Sequence, residues 1–167
     1  MTKRPPTLIY GFSSSVSLAT LTVVVLNLLF RISVKTHVEL MLAPQDLASE
    51  KIFAFMEIQG GNWGARKEVI NRATFAMNEF IEGVRALELA KGDIKVAASF
   101  DELNLDIDFR YRGTLMEFPV KRPSEADLLL DDKAVAELAG FLVRNYADRL
   151  QSSSTDEACR VQLHFDH

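Results

Sequence analysis

A chain of 167 residues has room for one ordinary domain and one extra element. Its formal net charge of −4, with no concentrated run of Lys and Arg, argues against a nucleic-acid binder, which needs a basic surface to neutralise phosphates. The single cysteine, Cys159, excludes an internal disulfide and fits a reducing compartment. The three histidines, His37, His164 and His167, lack metal-ligand spacing, so no metal site is expected.

Residues 8–30 carry no charged side chain. As a helix they would extend about 34 Å, more than the roughly 30 Å of a bilayer's hydrocarbon core. The run enters Asn27-Leu28-Leu29-Phe30-Arg31, a poor signal-peptide cleavage site. Ser13, Ser14, Ser15, Ser17, Thr20 and Thr22 are small hydroxyl residues of the kind that let membrane helices approach closely. Asn27 inside the run is expected to face protein rather than lipid. A transmembrane helix with its flanks is therefore expected over residues 1–36, packed against other helices. Lys3 and Arg4 balance Arg31 and Lys35, so charge does not set its orientation.

A connector containing Pro44 follows over residues 37–50, and a soluble domain over residues 51–167. Residues 52–58 read as a strand ended by a Gly60-Gly61 turn, with Asn62 as a helix cap. Trp63 and that turn are either the lining of a ligand pocket or a buried aromatic at a helix start. Val69, Ile70, Ala73, Met77, Phe80, Ile81, Val84 and Leu87 give one apolar stripe at helical spacing, predicting a helix over residues 65–91 closed by Gly92. The period then switches to two. Ile94, Val96, Ala98 and Phe100 alternate with polar neighbours, as do Leu105, Ile107, Phe109 and Tyr111 after a turn at Asp101 to Asn104. This is a half-buried antiparallel hairpin. Met116, Phe118 and Val120 suggest a further strand, interrupted by Pro123. A second helix starts at Asp131 or Asp132, with Val135, Leu138, Ala139, Leu142, Tyr146 and Leu150 on its apolar face. A polar loop over residues 151–157 leads to a last strand through Cys159, Val161, Leu163 and Phe165. One sheet face covered by helices gives a two-layer α/β sandwich with a mostly antiparallel sheet, an α+β fold.

No nucleophile–base arrangement emerges, so no catalytic residue is assigned. Cys159 lies on the apolar register of its strand and reads as an inert core thiol. Asp106 and Asp108 alternate onto the outer face of theirs, where solvation explains them. His164 likewise reads as a solvent-facing strand residue.

Two resemblances add to this. The run Val25-Leu26-Asn27-Leu28-Leu29-Phe30-Arg31 resembles the end of the last membrane helix in the xanthine/uracil permease family of nucleobase–cation symporters. The element order of the soluble part is similar to the histidine-kinase-like (GHKL) ATPase fold. Residues 73–84, Ala-Thr-Phe-Ala-Met-Asn-Glu-Phe-Ile-Glu-Gly-Val, resemble the helix of that family in which a Glu and an Asn four residues later hold Mg²⁺. Glu79 fills the first position, but Gly83 stands at the second. Where the family's Asp binds adenine, the chain has Phe109-Arg110-Tyr111-Arg112-Gly113, and the glycine-rich lid is missing. The resemblance therefore implies a scaffold retained without its chemistry: a vestigial nucleotide site at Asn78 and Glu79, with no working ATP or Mg²⁺ cofactor. Together the two imply the C-terminal segment of a nucleobase permease in the inner membrane, with a regulatory domain on the cytoplasmic side. Its partners would be other permease helices, with self-association open. A tethered ATP-binding kinase-like protein, or a single-pass anchored interaction domain, are the alternatives.

Overall fold

The computed structural model describes residues 15–31, 35–43, 46, 48–124, 128 and 132–167. The chain divides into two units, Met1–Val34 and Lys35–His167. In the first, helix α1 runs over Ser15–Arg31. Its 17 described residues extend about 26 Å. Among the described residues no helix is long and apolar enough to cross a membrane. The expected span is therefore not supported by the described residues, and its first part, residues 8–14, lies outside them. Val16, Val23 and Leu26 are exposed on α1. The Thr20 and Thr22 hydroxyls donate to the carbonyls of Val16 and Leu18, each at 2.8 Å, so the helix satisfies their polarity internally.

The second unit orders as β1 (Thr36–Leu42), α2 (Ala48–Trp63), α3 (Lys67–Ala86), β2 (Ile94–Phe100), β3 (Asn104–Arg112), α4 (Asp132–Tyr146), β4 (Arg149–Thr155) and β5 (Ala158–Asp166). The five strands form one antiparallel sheet in the order β1-β2-β3-β5-β4. The α+β sandwich with an antiparallel sheet is thus observed. Alternation puts Ile94, Val96, Ala98 and Phe100, Leu105, Ile107, Phe109 and Tyr111, and Cys159, Val161, Leu163 and Phe165 on the buried face. Three helices rather than two share one core with that face. Arg72 ties α3 to the end of α4, donating to the Tyr146 carbonyl at 2.7 Å and pairing with Asp148 at 2.8 Å.

Several expected boundaries are corrected. The connector at residues 37–50 contains β1, whose Val38, Leu40 and Leu42 alternate toward the core. Residues 52–58 are not a strand but the middle of α2, because Ala48, Ile52 and Met56 recur every four residues and all are buried. Gly60-Gly61 is no turn either: both lie inside α2, and a Cβ at Gly60 would come within 3.0 Å of Ile70 on α3. Asn62 accordingly caps nothing, and the break comes at Gly64, with φ +64°. Helix α3 ends at Ala86 rather than Lys91, since Glu88 turns into the left-handed region and Leu89 N–H bonds back to the Val84 carbonyl. Met116, Phe118 and Val120 form no strand. The expected polar loop is mostly β4, whose hairpin to β5 turns at Asp156-Glu157, both at positive φ. The expected caps at Asp131 and Asp132 rest on side chains outside the described residues.

Candidate functional site

The region that resembles a nucleotide site lies where α3, α4 and the segment after β3 meet. Gly83 on α3 is buried, and a Cβ there would sit 2.5 Å from Met116 Cε and 3.2 Å from Ala139 Cβ of α4. The space beside Gly83 is therefore filled by the chain's own Met116. Tyr111 stands in the segment where the adenine-binding acid is expected and is almost fully buried. Its hydroxyl donates to the Thr114 carbonyl at 3.0 Å and accepts from Met116 N–H at 3.2 Å. Burial raises its pKa strongly, outweighing the lowering effect of the Met116 N–H, so the phenol stays neutral. Phe80 fills the remaining space, with ring centroids 4.3 Å from Phe109 and 6.3 Å from Phe118.

Residues 113–119 run over this packing as a strap, fixed along its length. Gly113, at φ +146°, comes so close to Leu89 that a Cβ would sit 1.8 Å from its carbonyl oxygen. Thr114 N–H donates to that same carbonyl at 2.9 Å, and Arg144 donates to the Phe118 carbonyl at 3.3 Å. Gly140 lets α4 approach the strap, since a Cβ there would lie 2.1 Å from the Glu117 carbonyl oxygen. The Cys159 thiol donates to the Gly113 carbonyl at 3.4 Å and is buried, as an inert core thiol would be.

The two expected site residues are not joined by this arrangement. Asn78 bonds back to its own helix, Nδ2 donating to the Thr74 carbonyl at 3.0 Å, and its Oδ1 is buried without a partner. Glu79 is partly buried, and its pKa is raised by desolvation first and by the nearby Glu82 second. No hydrogen bond or ion pair links them. A thioether, a neutral phenol and a closed strap do not fit Mg²⁺ or a nucleotide. Among the described residues no group of three or more His, Cys, Asp or Glu side chains is placed to hold a metal ion.

The polar chemistry lies on the opposite face of the sheet, in three rows set by register. One row is His37, Ser99, Asp106, His164 and Arg149; the next is Glu39, Ala97, Asp108, Gln162 and Gln151; the third is Met41, Lys95, Arg110, Arg160 and Ser153. His37, Asp106, Asp108, Arg110, Arg149 and Arg160 from these rows help line a depression of about 440 Å³. Asp108 receives Arg160 at 2.6 Å and Arg110 at 2.7 Å. Burial alone would raise its pKa, but these two guanidinium groups outweigh it and hold the carboxyl below its ordinary range. His164 Nδ1 lies 2.6 Å from Asp106, so this histidine faces outward as its alternation predicted, yet within a network. The outward placing of Asp106 and Asp108 was legible. The facing contributions of Arg149 and Gln151 were not, because Arg149 reads as the end of the preceding helix and Gln151 as the start of a loop, whereas both belong to β4.

The Gly60-Gly61 pair does line a hollow of about 630 Å³ between α2 and α3, together with Phe53 and Ile70. Trp63 instead stacks on Phe100, with ring centroids 5.4 Å apart. In comparison with known proteins, the chain matches no protein-family model and no curated protein.

Proposed function

We propose that the Lys35–His167 unit is a non-catalytic, ATPase-like regulatory domain at the C-terminal end of a nucleobase (xanthine/uracil) permease, at the cytoplasmic face of the inner membrane. The observation that supports its non-catalytic half is the side chain of Met116 lying against Gly83, where a working ATPase of the resembled kind needs room for an Asn and its metal; the permease half rests on the resemblance of residues 25–31. The domain would act through its surfaces rather than by hydrolysis or phosphotransfer. Helix α1 would pack among the carrier's other helices, because substrate sites in such carriers lie between several helices and one helix makes no pathway. Internally satisfied Thr20 and Thr22 hydroxyls suit such apolar surroundings.

Two measurements test the two halves of this proposal. Titration of the full chain with ATP and Mg²⁺ in a calorimeter is expected to give no heat of binding; submicromolar affinity would overturn the non-catalytic assignment and favour a tethered kinase-like protein. Coexpression with a nucleobase permease lacking its last helix is expected to retain the chain in the membrane fraction and copurify the two. Recovery of unprocessed chain in the aqueous fraction without detergent would overturn the membrane assignment.

A further inference from the structure

One imidazole bridges the joint between α2 and α3 and the sheet. Arg66 stands at the cap position of α3 without a side-chain cap bond. Its backbone N–H donates instead to His167 Nε2 at 2.7 Å. The other ring nitrogen, Nδ1, lies 3.0 Å from the Glu102 carbonyl oxygen in the β2–β3 turn. The His167 N–H holds the same turn, donating to the Leu103 carbonyl at 2.7 Å. The ring meets Phe100 edge-on with centroids 5.1 Å apart, and Phe100 stacks on Trp63 at the end of α2. These partners admit one protonation state. An amide N–H can only donate, so Nε2 must be bare; a carbonyl can only accept, so Nδ1 must carry the hydrogen. The bound ring is therefore neutral.

We propose that His167 is a proton-sensitive latch: neutral, it ties the start of α3 to the β2–β3 turn, and charged, it releases Arg66. A second proton would set N–H against N–H across 2.7 Å. The contact with Glu102 needs only the Nδ1 hydrogen and survives, so the release is confined to α3. Histidine suits such a change, because an imidazole ordinarily takes up its proton between about pH 5 and 8. The charged residues of the elements that meet at the ring are Arg66, Lys67 and Glu68 where α3 begins, Asp101 and Glu102 in the turn, and Asp166 on β5. Asp101 already accepts the Leu103 and Asn104 N–H groups and pairs with Lys35. Asp166 already meets His164 and Arg149. The positive end of the α3 dipole also opposes a charge on the ring. What the latch frees is the break at Gly64, with φ +64°, where α2 gives way to α3.

The test is hydrogen exchange at the Arg66 amide, followed by NMR on the full chain in mild detergent. Expressed as a protection factor, it is corrected for the intrinsic pH dependence of exchange. From about pH 8 to about pH 5 the factor is expected to fall about fivefold, as loss of one hydrogen bond implies. His167→Gln keeps an acceptor and a donor that do not titrate, so its factor is expected to stay level to within about twofold. His167→Ala is expected to show the low value at every pH. Nitrogen NMR of the ring in the unaltered chain is expected to show the hydrogen on Nδ1 at the upper end of the range. A protection factor indifferent to pH in the unaltered chain would overturn the proposal. So would a ring hydrogen on Nε2, or a pH dependence retained in His167→Gln, which would assign the proton to another group.

Discussion

The two faces of the sheet are made by alternate residues of the same strands, yet they obey different rules. On the helix-covered face, Phe109, Leu105, Ile107, Val161 and Phe165 have no measurable exposure, and three helices close over them. On the other face, residues only one position away form ion pairs whose members remain partly open to water. A strand's two-residue period makes this division automatic. The lesson is that the closed face fixes the fold and also seals the region resembling a nucleotide site, while the open face keeps charge without supporting much stability.

Substitutions can break that contrast, beginning where the effect should be largest. Phe109→Ala removes a fully buried ring packed on Phe80 and should cost about 3–5 kcal/mol in urea unfolding. Met116→Ala should cost about 2–5 kcal/mol, since it empties the space beside Gly83. Asp108→Asn, on the open face, should cost only about 1 kcal/mol, because its partners Arg110 and Arg160 can turn to water. If it cost as much as Phe109→Ala, the two faces would not differ as described.

The same aspartate gives a pH test. Its carboxyl titrates below the ordinary aspartate value of 3.8 when folded, so the unfolded chain takes up the proton first. The contribution of Asp108 is therefore complete above about pH 4 and lost as the pH falls through the lowered folded value. Below pH 4 the stability difference between the unaltered chain and Asp108→Asn should shrink, as read from urea midpoints at a series of pH values. His37→Ala, at the exposed edge of the same face, should change stability by no more than about 0.5 kcal/mol. A larger loss would show that the outer row acts as one network.

How much was legible depends on whether an element buries one of its faces. Strands β2, β3 and β5 and helix α3 each do so, and each shows its period in the sequence; α4 has a helical period too, but it buries Ala136, Ala139 and Val143 while the expected Val135 is exposed, and Leu150, expected on its apolar face, belongs to β4. Strand β1 carried the same signal in Val38, Leu40 and Leu42, but seven residues between a hydrophobic run and Pro44 read as a connector. Helix α2 was hidden because Ile52, Phe53, Phe55 and Ile58 favour strands, and two glycines within it imitate a stop. Strand β4 was illegible for a different reason. It lies at the sheet edge with nearly every residue exposed, and hydrogen bonds to β5 rather than burial define it.

The sequence by itself determined the α+β class, the buried and open registers of three strands, and a residue without a side chain at position 83. All of these follow from local periodicity or from the identity of one residue. Tertiary structure alone decided that Met116, thirty-three positions away, lies against Gly83, and that Tyr111 anchors the strap passing over it. It also decided that Gly60-Gly61 opens a groove instead of making a turn. Such outcomes depend on which surfaces meet when helices dock on a sheet, and short-range spacing carries no record of that meeting.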